Sequence, residues 1–365
     1  MMKRHRFAVI ALAVILCFSN TKSLFAQSSE SQKPAELVGA ITYLADNPGR
    51  WTAVALNAAG ATAPDELTRE SKKTALENNK QGYTKVTDLA YDILCTSAGG
   101  YDAASLGQPS LITQLVNWDD MLMQGASGPI FALLALDCCG YEIPDGASWN
   151  RDSLCKAILS FQTVDGGFQL DESKDADVDV TAYALLALSR YSTDSEVSDA
   201  IDNAVQWLMS VQNEDATFSS IGTPSCESTA SVIMALISLG IPVSGEQFSK
   251  DGISIYDALL SFRCSDGSFS HVLGGGSDSI ATTQAIMAMG AVCFGKSPFV
   301  LAAVTPPADT AGISITFVLM TIGAVLLIYF LLILVRKMGD YAFKKRKNTS
   351  GKESLGPDNA DQQDI

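Results

Sequence analysis

The sequence predicts an all-α protein: a closed α6/α6 toroid of six helical hairpins, followed by one C-terminal transmembrane helix. Three observations carry that expectation. First, the run Phe161 to Phe168 (FQTVDGGF) returns after 50 residues as Val211 to Phe218 (VQNEDATF) and after another 51 as Phe262 to Phe269 (FRCSDGSF). The helical segments behind these turns repeat as well, with Thr181-Ala182, Thr229-Ala230 and Thr282-Thr283 in matching places. A fixed period near 50 residues marks stacked copies of one supersecondary unit, none of which buries its apolar face alone. Second, the two helices of each unit differ: TAYALLAL, STASVIMAL and ATTQAIMAM are apolar nearly all round, whereas AIDNAVQWLMS carries one apolar stripe. An inner ring of buried helices wrapped by an outer amphipathic ring satisfies both patterns. Third, 311–335 is a run of 25 uncharged residues, enough to cross a bilayer as a helix.

Taken in order, the chain opens with a leader over 1–26. Lys3, Arg4 and Arg6 precede the apolar run Phe7 to Phe18, and Ala26 is a small residue suited to cleavage. Cys17 follows Leu16 rather than a small residue, which argues against lipoprotein processing. A polar spacer covers 27–33, and the toroid covers 34–295. Its pairs are expected at Glu36–Asp46 with Arg50–Gly60, Asp65–Glu77 with Thr84–Ser97, and Ser110–Val116 with Gly128–Cys139. The clearer repeats give Arg151–Gln162 with Val178–Tyr191, Val197–Gln212 with Ser228–Leu239, and Gly252–Arg263 with Ile280–Cys293. Asn47-Pro48-Gly49 and the glycine turns divide the helices. A linker over 296–310 holds Pro306 and Pro307. Behind the span, Arg336, Lys337, Lys344, Lys345, Arg346 and Lys347 open a basic tail over 336–365, which by the positive-inside rule is cytoplasmic. The expected product is a single-pass cell-membrane protein whose body is extracytoplasmic.

The chain is 47% hydrophobic and 18% charged, ample for a sizeable core. Residues 27–335 hold 14 basic and 35 acidic side chains, against a whole-chain net charge of −15. Such a body repels nucleic acid, so nucleic-acid binding is set aside. Seven cysteines follow the leader (Cys95, Cys138, Cys139, Cys155, Cys226, Cys264 and Cys293), an odd number without framework spacing, most within helical patterns where a thiol packs as a small hydrophobe.

The DGGF, DATF and DGSF turns resemble the repeat signature of the terpenoid cyclase and protein prenyltransferase α/α-toroid superfamily, over about residues 34–295. The segments CESTASVIMALISLGI, DALLSFRCSDGSFSH and GGGSDSIATTQAIMAM resemble more closely a group of exported bacterial toroid proteins related to the helical domain of cobalamin carriers (transcobalamin- and intrinsic-factor-like). The resemblance implies a toroid whose ligand or active-site mouth lies where the inner helices begin. It leaves activity open, because the superfamily holds enzymes and non-enzymes alike.

Within that frame Asp177-Val178-Asp179-Val180-Thr181-Ala182 resembles the acid motif of class II cyclases, with Asp179 at the position of the general acid, Asp177 at the first acidic position and Val180 where the last one stands. Such an acid must stay protonated to protonate an alkene or epoxide, and the resulting carbocation needs aromatic faces; among the last three inner helices Tyr183 is the aromatic side chain available. The alternative is that Asp177 and Asp179 cap the helix that follows them. Glu227 immediately precedes the fifth inner helix and Asp278 the sixth, at matching places in their repeats, and His271 follows the DGSF turn. If the ring closes, Asp177, Asp179, Glu227, Asp278, His271 and Tyr183 gather around one mouth suited to a polar or cationic ligand. No zinc set accompanies the lone histidine of the body. Val180 and Leu186 replace the glycine and glutamate of a helix–loop–helix calcium loop, leaving irregular calcium binding by Asp171, Glu172 and Asp175, or a solvated loop. Three functions follow as expectations: a membrane-anchored binding module taking a cobalamin-like ligand or a cell-surface protein partner; a terpenoid-cyclase-like enzyme with Asp179 as general acid; and a non-catalytic cell-surface scaffold.

Overall fold

The computed structural model describes residues 33–301. The chain divides into two compact units, residues 1–306 and 307–365. The predicted leader, nearly all of the spacer, the linker beyond 301, the predicted span and the basic tail lie outside the described residues. Among the described residues no helix is long and apolar enough to cross a membrane.

The described part of the first unit is an α-α toroid whose twelve α-helices come in six consecutive pairs. These are α1 (Ala35–Asp46) with α2 (Thr52–Ala58), α3 (Asp65–Gln81) with α4 (Val86–Ala98), and α5 (Leu111–Val116) with α6 (Ser127–Asp137). The repeats read most clearly from the sequence become α7 (Arg151–Leu159) with α8 (Val178–Leu188), α9 (Ser195–Val211) with α10 (Cys226–Ser238), and α11 (Ile255–Leu260) with α12 (Ser279–Phe294). The second helices pack on one another in order, α2 on α4, then α6, α8, α10 and α12, and α12 packs back on α1 and α2. Burial follows composition. Every residue of α6 from Gly128 to Asp137 is buried. In the charged helix α3, Ala75 alone is. One hydrophobic core runs through all six pairs.

Where α12 meets α2 the backbones nearly touch. A Cβ added at Gly290 would fall 2.5 Å from the Ala58 carbonyl oxygen. The same closeness recurs between the Gly267 turn and α1, where a Cβ at Gly267 would meet Gly39 at 3.0 Å, and Gly267 adopts φ +90°, which glycine tolerates.

The links from first to second helix form a chain of contacts of their own. Arg50 donates to Asp88, the Thr87 N–H to Gln124, the Ala126 N–H to the Leu170 carbonyl, the Ser220 hydroxyl to Asp177, and the Cys226 N–H to the His271 carbonyl. Within three links one hydrogen bond repeats: a buried threonine of the inner helix (Thr181, Thr229, Thr282) accepts from the N–H of the fully buried phenylalanine that ends each turn (Phe168, Phe218, Phe269), at 2.8, 3.1 and 2.9 Å. That clasp fixes the register of the three repeats.

The fold is not helix alone. Three two-residue antiparallel hairpins decorate it: β1 (Ser219–Ser220) with β2 (Thr223–Pro224), β3 (Ser249–Lys250) with β4 (Ile253–Ser254), and β5 (Phe269–Ser270) with β6 (Ser277–Asp278). In the first two, Ile221-Gly222 and Asp251-Gly252 both hold positive φ, the geometry of a two-residue primed turn. Gly252, expected to open a helix, therefore sits in a hairpin tip, and α11 starts three residues later under the Ser254 capping box. Beyond α12 the segment Ser297–Leu301 turns back across the end of the ring, its Leu301 N–H donating to the Cys138 carbonyl at 2.9 Å.

Candidate functional site

A cavity of about 520 Å³ lies among the inner helices. Its wall is aromatic. Trp51, just before α2, stands 4.9 Å edge-on to Tyr91 of α4; Tyr91 stands 4.8 Å from Phe131 of α6, and Phe131 lies 5.2 Å from Tyr183 of α8. Ile130 and Met287 add aliphatic surface, while Ser279, Thr283 and Gln284 of α12 give a polar side. Arg50 lies over the Tyr91 ring at 5.1 Å and is bound by Asp88 and by Asp92, each at 3.1 Å. Asp92 is buried and also accepts from Asn78 and Tyr83 at 2.7 and 2.9 Å. The guanidinium is thus pinned as part of the wall.

Asp179 is the carboxyl group of this cavity. It lies in the first turn of α8, and its Oδ1 accepts from the Ser231 hydroxyl of α10 at 3.2 Å. Loss of solvent pushes its pKa up to about 6, and the charges of Asp177 and Glu227 push the same way against the Ser228 and Ser231 hydroxyls. At pH 7 the carboxylate therefore still predominates, but about a tenth of Asp179 carries its proton, far more than an unshifted aspartate would hold. Tyr183, one turn further along α8, has its phenol pKa raised, first by burial and then by Tyr91 and Asp179, so it stays neutral.

The other expected site residues have different fates. Asp177 is the N-cap of α8: one oxygen accepts from the Asp179 and Val180 N–H groups and the other from the Ser220 hydroxyl at 2.8 Å. Asp278 caps α12 in the same way through the Ile280 and Ala281 N–H groups. The clasp register aligns Asp278 with Asp177, and Glu227 with Asp179, so Glu227 and Asp278 do not hold matching places in their repeats. Glu227 accepts from His271 Nδ1 at 2.8 Å, with His271 largely exposed. Asp179 and Tyr183 are thus brought together in the cavity; Asp177 stands beside it; and Glu227, His271 and Asp278 lie outside its lining. Asp171, of the irregular calcium proposal, is held by the Ser173 hydroxyl. Among the described residues no group of three or more His, Cys, Asp or Glu side chains is arranged to hold a metal.

Trp51, Tyr91 and Phe131 escaped the sequence reading, because they come from the first three hairpins, which lack the DGGF-type turn. One signal was present: Tyr91 and Tyr183 each lie five residues into their inner helix.

The prenyltransferase alpha-alpha toroid domain family matches residues 51–229 and 198–297. The chain belongs to that family. No curated protein sequence matches this toroid protein. Solved structures similar to it include two that follow. One is ent-copalyl diphosphate synthase from Streptomyces platensis, at 19% identity over 70% of this chain and 51% of that one, with a TM-score of 0.49. The other is Candida albicans protein geranylgeranyltransferase-I complexed with GGPP, at 12% identity over 76% of this chain and 91% of that one, with a TM-score of 0.47. The toroid protein spans about half the length of the synthase.

Proposed function

We propose that this toroid protein is a terpenoid-cyclase-like enzyme that holds a linear isoprenoid in the aromatic cavity and starts its cyclisation with the Asp179 proton. The observation that carries the reading is a desolvated carboxyl inside an aromatic-walled cavity, its pKa raised to about 6 so that the protonated form is accessible. In the initiating step the alkene π pair, or an epoxide oxygen lone pair, forms a bond to the Asp179 proton, and the carboxyl is left as carboxylate. The positive charge passes to carbon, where the faces of Trp51, Tyr91, Phe131 and Tyr183 stabilise it. Loss of a proton to a base, or capture of water, then quenches the cation. The test is incubation of the purified chain with squalene and shorter polyprenyl substrates, with extracted products separated by mass. Cyclised product that disappears in Asp179→Asn supports the enzyme; absence of product from every substrate overturns it.

A second reading rests on a specific departure. Val180 lines the cavity where a further acid stands in the class II motif, and both oxygens of Asp177 are occupied. These favour a binding module that holds an apolar ligand without converting it, and ligand retention without turnover would establish it. A cobalamin-like ligand fits less well, since a corrinoid is bulkier than the cavity; a non-catalytic scaffold would bind neither.

The packing of α12 on α1 and α2 supports a closed ring of six hairpins. From the sequence we carry forward a single-pass anchor over 311–335 with the toroid extracytoplasmic; protection of the toroid from protease added to the cytoplasmic face is the outcome expected.

A further inference from the structure

Arg50 is the only cation among the described residues that line the cavity, and it is not free. One terminal nitrogen of its guanidinium donates to Asp88 Oδ1 at 3.1 Å; the other donates to Asp92 Oδ1 at 3.1 Å and to the Asp88 carbonyl at 3.2 Å. Asp92 is buried and held in place, its second oxygen accepting from Asn78 and Tyr83. The guanidinium carbon lies 5.1 Å from the centre of the Tyr91 ring, so that side is occupied too. One positive charge against two negative ones leaves this corner at a net −1. The lining adds one more carboxyl, Asp179, while Ser127, Ser279, Thr283 and Gln284 are uncharged.

We propose that Asp88 and Asp92, by occupying Arg50, set the substrate class of the site: it takes uncharged isoprenoids (hydrocarbon, epoxide or alcohol) and turns away the diphosphates of the same chains. This rests on the reading of the cavity as an isoprenoid site. A diphosphate needs paired donors aimed at its oxygens, and an arginine delivers that pair only while its terminal N–H groups are unspent. Here they are spent on carboxylates, and a diphosphate would meet net negative charge at short range. An alcohol or epoxide oxygen asks for no more than a neutral partner or two, which Ser279 and Gln284 of α12 offer. The same surplus of negative charge stabilises the carbocation that follows protonation.

The experiment measures the affinity of the complete chain for farnesol and for farnesyl diphosphate, one hydrocarbon chain with two different heads, by quenching of tryptophan fluorescence. Wild type is expected to bind the alcohol about tenfold more tightly or better. Asp88→Asn should strengthen the diphosphate relative to the alcohol by about tenfold, the scale of one unit charge removed beside an anion at partial exposure. Asp92→Asn should act in the same direction, and the half-buried Asp88 position carries the test if the buried one does not tolerate the change. Adding Arg50→Gln to Asp88→Asn should abolish the gain. Wild type that binds the diphosphate as tightly as the alcohol overturns the proposal, and so does a preference that no folded variant moves. Failure of wild type to bind either probe overturns the isoprenoid reading itself, and the proposal with it.

Discussion

Asp177 and Asp179 are separated by one residue and do different work. Asp177 spends its oxygens on the free N–H groups of a helix start; Asp179 reaches inward and gives up solvent. The raised pKa of Asp179 has a consequence for stability. Its folded value near 6 lies above the ordinary carboxylate value of 3.8. The folded state therefore binds the proton more tightly, and ionised Asp179 destabilises the fold at pH above about 6, by about 2–3 kcal/mol. That cost fades as pH falls from 6 to 4. Asp179→Asn is expected to be more stable than wild type at pH 8 and equal to it below pH 4, as chemical denaturation at several pH values would reveal. Ser231→Ala removes a hydroxyl that holds the pKa down. If Asp179 is the general acid proposed above, turnover should then persist to higher pH, with the descending limb of the rate profile displaced upward.

At the scale of elements, the threonine clasp is what makes three hairpins equivalent. Thr229→Val keeps the shape and leaves the buried Phe218 N–H without its acceptor, so a loss of about 1–3 kcal/mol is expected in urea denaturation. The hairpins were legible because this clasp and the glycine turns recur near every 50 residues. Helix identity was legible from composition, since helices buried on all sides are written in alanine and leucine. The small β-hairpins were less so: Asp251-Gly252 is a strong turn signal, but beside an apolar run it reads equally as a helix boundary. Ile221, also in a primed turn with φ +56°, carries no such signal, because β-branched residues disfavour that conformation.

In the toroid unit as a whole, the seam between α2 and α12 joins hairpins more than 200 residues apart in sequence. Gly290→Ala would drive a methyl group into the Ala58 carbonyl, and a loss of about 1–3 kcal/mol, read as a lowered thermal midpoint, is expected. The aromatic wall belongs to this scale too. Trp51, Tyr91, Phe131 and Tyr183 come from four different hairpins and become neighbours only when those hairpins are arranged side by side. Beyond the matching places of Tyr91 and Tyr183 in their helices no local pattern announces such a wall, which is why Asp179 and Tyr183 were visible in the sequence and the rest of the wall was not.

The segment Ser297–Leu301 that turns back across the end of the ring carries a practical lesson about where this polypeptide can be trimmed. The repeats end near Lys296 and the family match ends at residue 297, so a shortened version stopped there would look complete on the page. It would lack Phe299 and Leu301, and Trp51 and Tyr183 would lose the ring packed against them. Any measurement on such a fragment would describe an aromatic cluster with one of its supporting rings removed.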